Sequence, residues 1–196
     1  MKTQLTRNVL MAAVGVTALM FSAGNAQAQT ESVTATVTVQ NALTTAVVDN
    51  MDFGTIASIA GGGNTASAIL NPLTDAVTFS TTGAGAVMAM IDSTNAQGAN
   101  LTIEDGANGA AIQVTIQNVV PPQVGPVAFT LGTFTTSWNG AAATAATVGT
   151  AQPFTFTTAF GGGVNTLDVG ATLTNVTGTV YTDQAYPGSF EVAFSY

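Results

Sequence analysis

One stretch decides the fold class of this chain: Ser32-Val33-Thr34-Ala35-Thr36-Val37-Thr38-Val39-Gln40. Its apolar residues stand at every second position, and threonine or glutamine fills most positions between them. Successive side chains of a β-strand point to opposite faces, so a period of two is typical of a strand with one buried face. We therefore predict an N-terminal β-strand within residues 29–41.

The same period returns in later parts of the chain, and clusters rich in Gly, Pro and Asn separate the runs about every ten residues. No stretch beyond residue 28 has the period of a helix, and an apolar content of 46% argues against disorder. We predict an all-β fold, an immunoglobulin-like β-sandwich with mainly antiparallel strands. The later alternating runs are Ile112, Val114 and Ile116; Phe154 and Phe156; Leu167, Val169, Ala171 and Leu173; and a C-terminal strand with Phe190, Val192, Phe194 and Tyr196.

Three segments depart from simple alternation. Residues 51–57 and 86–91 are apolar on both sides, which predicts central strands covered on both faces. In residues 127–138 the apolar positions change phase, which predicts a β-bulge near Gly132. Residues 121–126 contain three prolines, which donate no ladder hydrogen bonds, so we expect a stiff crossover between two sheets.

The first 28 residues have the pattern of an export signal. A positive start ending at Arg7 is followed by an apolar run over residues 9–21 and by Ala26-Gln27-Ala28, a small-x-small cleavage site. The apolar run is too short for a transmembrane helix, which needs about 20 residues. We predict a signal peptide over residues 1–28 and one β-sandwich domain over residues 29–196. Export through the inner membrane leaves the cell surface, the periplasm or the medium as the destination.

Charge then excludes most functions. The chain carries −8 formally, but its only cations, Lys2 and Arg7, lie in the leader. The remainder has ten carboxylates and no Lys, Arg, His or Cys. Nucleic acid is therefore excluded as a partner, since phosphate binding needs cations. Acid–base and nucleophilic catalysis lack their usual groups, so we predict a protein that is not an enzyme and has no cofactor.

Two weaker binding hypotheses remain. Calcium accepts carboxylate and amide oxygens, and Glu104, Asp105 and Asn108 supply them in a glycine-containing loop. An ordinary hairpin loop explains the same residues, and Asp49, Asn50 and Asp52 form a second candidate set. Trp138, beside Asn139-Gly140, is either a core residue or an exposed platform for a glycan.

The chain resembles the bacterial family called domain of unknown function 4402. The resemblance lies in Met51-Asp52-Phe53-Gly54-Thr55-Ile56, in Leu167-Asp168-Val169-Gly170-Ala171-Thr172-Leu173, and in the ending from Pro187 to Tyr196. It implies an exported, pilin-like, immunoglobulin-like domain without established catalytic residues. Chaperone-assembled pilins usually contain cysteines and end on a penultimate tyrosine, and here Cys is absent and Tyr196 is last.

The N-terminal strand suggests how such a domain acts. Burying its apolar side, Val33, Ala35, Val37 and Val39, does not offset the entropy lost on fixing nine residues, so the segment needs a sheet edge to join. Sequence leaves two alternatives open, an edge of its own domain or an edge of the next subunit. We expect a structural surface subunit that associates with itself or related subunits. The alternatives are a secreted binding module for glycan or calcium and a small outer-membrane β-barrel, with a corresponding outer-membrane association.

Overall fold

Strands supply all the regular structure in the described part of the chain, residues 43–158 and 163–196 of a computed structural model. The predicted leader and residues 29–41 lie outside these ranges, and the described residues all belong to one unit spanning Gln40–Tyr196. The strands are β1 (Thr44–Asp49), β2 (Thr55–Ile59), β3 (Ala66–Leu70), β4 (Val77–Thr81), β5 (Val87–Asp92), β6 (Ala99–Glu104), β7 (Ala111–Val120), β8 (Gln123–Val124), β9 (Val127–Trp138), β10 (Thr144–Ala146), β11 (Gln152–Thr155), β12 (Asn165–Asn175) and β13 (Ser189–Ser195).

The largest sheet is built around β12. One edge of β12 pairs first with β6 and then with β3, while its other edge pairs with β9. Beyond these neighbours lie β1 next to β6, β4 next to β3, and the short strands β8 and β10 next to β9. The alternation predicted for Leu167, Val169, Ala171 and Leu173 is confirmed, because all four side chains are buried on one face of β12.

Two smaller sheets complete the fold. One has the order β11-β7-β13 and the other is the two-stranded ribbon β2-β5. Every strand pairing is antiparallel. Apolar side chains of β7 pack with those of β6, β9 and β12 in one cluster, and side chains of β5 pack with those of β3, β9 and β12 in another. The predicted all-β sandwich is confirmed.

The phase change in β9 has the predicted cause. Gly170 of β12 lies opposite Thr135, but Thr172 lies opposite Gly132, so two residues of β9 face one residue of β12. Thr133, one of the two, has a φ of 46°, in the left-handed region. This bulge lets Phe129 and Phe134 both reach the interior despite their odd spacing.

The proline-rich segment crosses between sheets as expected. β7 belongs to the β11-β7-β13 sheet and β9 belongs to the largest sheet. Between them, β8 pairs back onto the first residues of β9 through a tight turn at Gly125, whose φ is 59°. The crossover is therefore fixed by ladder hydrogen bonds at one end.

Two sequence predictions were wrong. Residues 51–57 and 86–91 do not form central strands, because β2 and β5 pair only with each other among the described strands, and Ile91 is 67% exposed. The loop after Glu104 does not close a hairpin, because β6 and β7 belong to different sheets. Both errors have one source: side-chain pattern identifies a strand but not the partner with which it pairs.

Candidate assembly site

The C-terminal strand β13 has one paired and one open edge. Its residues pair with β7, from Ser189 opposite Val120 to Ser195 opposite Gln113. In the described part of the chain no strand pairs with its other edge. An open edge presents unpaired backbone N–H and C=O groups, which is what an added strand needs.

The core-facing side of β13 is incompletely covered. Phe190, Val192 and Phe194 pack against the main apolar cluster, but each remains partly exposed. The neighbouring β7 side chains Ile112, Val114 and Ile116 face the same cluster and are fully buried. The difference follows from position, because within residues 43–158 and 163–196 β7 has a strand on each edge and β13 has a strand on one edge.

Aromatic contacts hold β13 against β9 of the largest sheet and against the residue that follows β11. The rings of Phe134 and Phe190 lie 5.2 Å apart between centroids, and the rings of Phe156 and Tyr196 lie 6.3 Å apart. Tyr196, the last predicted residue of the C-terminal strand, follows the end of β13 and is about half exposed. The two contacts fix both ends of the strand while its open edge stays accessible.

The strand β1 forms a second open edge, on the largest sheet. All six of its residues are exposed, and Val47, which lies opposite the buried Leu101, is 60% exposed. Its first residue, Thr44, pairs with Glu104, the last residue of β6. The first residue of β1 therefore lies at the end of its partner strand β6. The predicted assembly strand, Val33, Ala35, Val37 and Val39, lies outside the described residues.

The first calcium candidates lie at the end of β6 and in the crossover from β6 to β7. Asp105 has a φ of 65° and its Oδ2 accepts a hydrogen bond from Thr44 Oγ1 at 2.8 Å, while Glu104 and Asn108 are exposed. In the second set, Asp52 Oδ1 accepts a hydrogen bond from Gly54 N at 2.7 Å, as in a turn. No group of three or more Asp, Glu, His or Cys side chains suited to a metal ion occurs among the described residues.

Sequence reasoning missed an acidic groove of about 190 Å³ on the outer side of the largest sheet. Asp49, Asp75 and Asp168 line it together with amide side chains. Asp75 Oδ1 accepts a hydrogen bond from Gly98 N at 2.8 Å, and Asp168 Oδ1 accepts one from Asn100 Nδ2 at 2.5 Å. The pairing of β1, β6 and β12 brings Asp49 and Asp168 to the groove, and the turn between β3 and β4 adds Asp75, so no local motif signals the groove.

Trp138 is a core residue. It is 7% exposed, its ring stacks on Phe154 with a centroid distance of 5.1 Å, and its Nε1 donates a hydrogen bond to the carbonyl of Thr155 at 2.9 Å. A ring packed and hydrogen-bonded in this way does not offer an open face to a sugar. Of the two interpretations of Trp138, the structure supports the core residue.

Three side chains among the described residues have shifted pKa values, and none of them belongs to β13. Hydrogen bonds from the Thr94 side chain and backbone lower the pKa of Asp92. Burial raises the pKa of Tyr181, whose ring stacks on Phe129 at 4.2 Å. Hydrogen bonds with Gln184 and Thr182 lower the pKa of Tyr186.

Comparison of the chain with known protein families, with characterised proteins and with solved structures found no match. The described residues include no helix long and apolar enough to cross a membrane. The case for a function therefore depends on the residues and the geometry above.

Proposed function

We propose that this protein is a non-catalytic, exported surface subunit of pilin-like character that assembles by β-strand addition. In this proposal the signal peptide directs residues 29–196 through the inner membrane to the cell surface. The alternating segment, residues 32–40, then leaves its own domain and joins a sheet edge of a neighbouring subunit.

One observation carries the proposal: the alternating segment leads into β1, which is an exposed edge strand that begins where its partner strand ends. The described pairing between β1 and β6 begins at Thr44, opposite Glu104, which is the last residue of β6. An apolar–polar strand that precedes such an entry point is suited to act as an arm between copies.

Composition supports the same conclusion. After the leader the chain has no Lys, Arg, His or Cys, so its surface cannot form salt bridges between subunits. Backbone hydrogen bonds and apolar burial remain as the means of association. Strand addition uses these two interactions and no others.

The experiment compares the processed chain with a version that lacks residues 29–41. We expect the full processed chain to form polymers and the shortened chain to remain a folded monomer with a similar melting temperature. Global unfolding of the shortened chain would show that the segment completes its own domain, and would contradict the proposal. Size-exclusion chromatography and thermal unfolding by circular dichroism provide the two measurements.

A matched pair of point variants tests the role of the apolar face. Val37→Asp puts a charge on the face that must be buried, whereas Thr36→Asp puts the same charge on the opposite face. We expect polymerisation to be lost in Val37→Asp and retained in Thr36→Asp. Equal behaviour of the two variants argues against a strand with one buried face.

A further inference from the structure

We propose that the acceptor for residues 32–40 of one copy is the open edge of β13 in a second copy. This inference rests on the proposed function and adds the surface on which that function depends. The added strand would extend the β11-β7-β13 sheet to four strands and cover the exposed part of the β13 core face.

The state of the core at β13 supports this assignment. Phe190, Val192 and Phe194 contact the main apolar cluster yet stay partly exposed, whereas the β7 residues on the same face are buried. Among the described strands, β7 has a neighbour on each edge, whereas β13 has a neighbour on one edge. A strand placed on the open edge would give β13 the same burial that β7 has, and burial of large apolar side chains is the main favourable term in association.

The segment and the edge match in length and period. Nine residues in extended form span about 30 Å, and the seven residues of β13 span about 23 Å. The apolar positions of the segment, at Val33, Ala35, Val37 and Val39, repeat every two residues, as do those of β13. Small Val and Ala side chains also suit a site beside β13 that the rings of Phe190 and Phe194 already partly occupy.

Charge is compatible as well. The outward face of β13 carries Glu191, whose Oε2 accepts a hydrogen bond from Asn118 Nδ2 at 2.6 Å and one from Gln117 Nε2 at 3.4 Å. Residues 32–40 contain no charged side chain, so they approach this acidic surface without repulsion. A segment with carboxylates would have no cation on this surface to meet.

The open edges of β4 and of the β2-β5 ribbon fit less well. β4, at the far edge of the largest sheet, has five residues and only two large apolar side chains on its inner face, Val77 and Phe79. The exposed apolar residues of the β2-β5 ribbon, including Ile59, Val87 and Ile91, alternate with Met88, which is buried in the core. They therefore face away from the core and do not border a groove.

The absence of cysteine makes cross-linking the sharpest test, since only introduced thiols react. Processed Val37→Cys and processed Val192→Cys are mixed, allowed to assemble and oxidised, and the linked peptides are identified by mass spectrometry. Two controls are matched. Thr38→Cys replaces Val37→Cys to test the face of the added strand, and Val77→Cys replaces Val192→Cys to test the β4 edge.

We expect a disulfide between the thiol introduced at position 37 of one copy and the thiol introduced at position 192 of the other, and its loss with either control. Polymers that link to Val77→Cys, or that show no link to Val192→Cys, would overturn the β13 assignment while leaving strand addition intact. The double variant Val37→Cys/Val192→Cys tests whether the segment pairs with β13 of its own copy. A closed monomer with an internal disulfide would overturn the proposed function itself, as would a complete absence of polymers and links.

Discussion

Asn175 and Ala66 are joined by a buried hydrogen bond across 109 positions of the chain: Asn175 Oδ1 accepts from Ala66 N at 2.8 Å. The same amide donates through Nδ2 to the carbonyl of Ile59 at 3.1 Å and to Ser58 Oγ at 3.3 Å. One side chain at the end of β12 thus holds β3 and the β2-β5 ribbon together. In the described part of the chain no buried side-chain polar atom lacks a hydrogen-bond partner.

Asn175→Ala tests this connection. The change leaves the N–H of the fully buried Ala66 without its partner, which costs about 1–3 kcal/mol, and it also removes the part-buried hydrogen bond to the Ile59 carbonyl. We expect the free energy of unfolding, measured in urea, to fall by at least about 1 kcal/mol. Asn108→Ala, at an exposed loop position, is the control and should change stability by less than about 0.5 kcal/mol. Equal effects of the two changes would contradict the connection.

Gly106→Ala tests the contact between the β6–β7 crossover and the core. A Cβ at position 106 would overlap the ring of the fully buried Phe156, with nearest atoms well inside contact distance. We expect a loss of about 1–3 kcal/mol, as is typical of overpacking. At Gly132 a Cβ has no neighbour within 4 Å, so Gly132→Ala is the matched control.

Replacing Phe156 by a smaller side chain should relieve the overlap with a Cβ at position 106. In a double-mutant cycle with Phe156→Leu, the effect of Gly106→Ala should shrink, because the two residues are in contact. Strict additivity of the two changes would show that the glycine is required for another reason. Urea unfolding of all four proteins gives the coupling energy.

Tyr181 gives the fold a dependence on alkaline pH. Its hydroxyl donates to the carbonyl of Ala128 at 3.0 Å, and burial raises the pKa of the phenol above its usual value of 10.0. A raised folded-state pKa means that the stabilising contribution is complete below pH 10 and is lost as pH rises through the folded pKa. Hydrogen bonds with Gln184 and Thr182 lower the pKa of Tyr186. Its contribution to stability therefore increases as the pH rises, which is opposite to the effect of Tyr181.

Removing the Tyr181 hydroxyl should flatten this dependence. We expect Tyr181→Phe to be less stable than the natural chain at neutral pH by about 0.5–1.5 kcal/mol. Above pH 10 the gap between the two proteins should narrow. Melting temperatures measured from pH 7 to pH 11 provide the check, and a constant gap over that range would count against the titration of Tyr181.

The single tryptophan gives a direct test of the core. Because Trp138 is buried against Phe154, its fluorescence should be blue-shifted in the folded protein and resist quenching by acrylamide. Trp138→Ala should cost about 3–5 kcal/mol through the cavity it leaves. Emission typical of a solvent-exposed indole in the folded protein would restore the glycan-platform interpretation.

The sequence predicted strands well where one face is buried and the other is polar. On β12 the alternation of Leu167, Val169 and Ala171 with polar residues led to the correct element and the correct buried face. It failed on β2 and β5, because Ala, Ile and Val on both faces look the same whether the second face is covered or exposed.

Features that depend on pairing could not be predicted. Asp49, Asp75 and Asp168 line the acidic groove from two strands and a turn that are distant in the chain. The role of Asn175 requires a partner 109 positions away. The open edge of β13 has the same origin: alternation identified Phe190, Val192 and Phe194, but only the sheet order shows that β13 has a single neighbour among the strands that the structure describes.

If copies of this protein join by strand exchange, electron microscopy of the purified processed chain will show it. We expect filaments for residues 29–196 and for Thr36→Asp, and isolated particles for Val37→Asp and for the chain without residues 29–41. Isolated monomeric particles for the complete processed chain, at concentrations where it is fully folded, would contradict it.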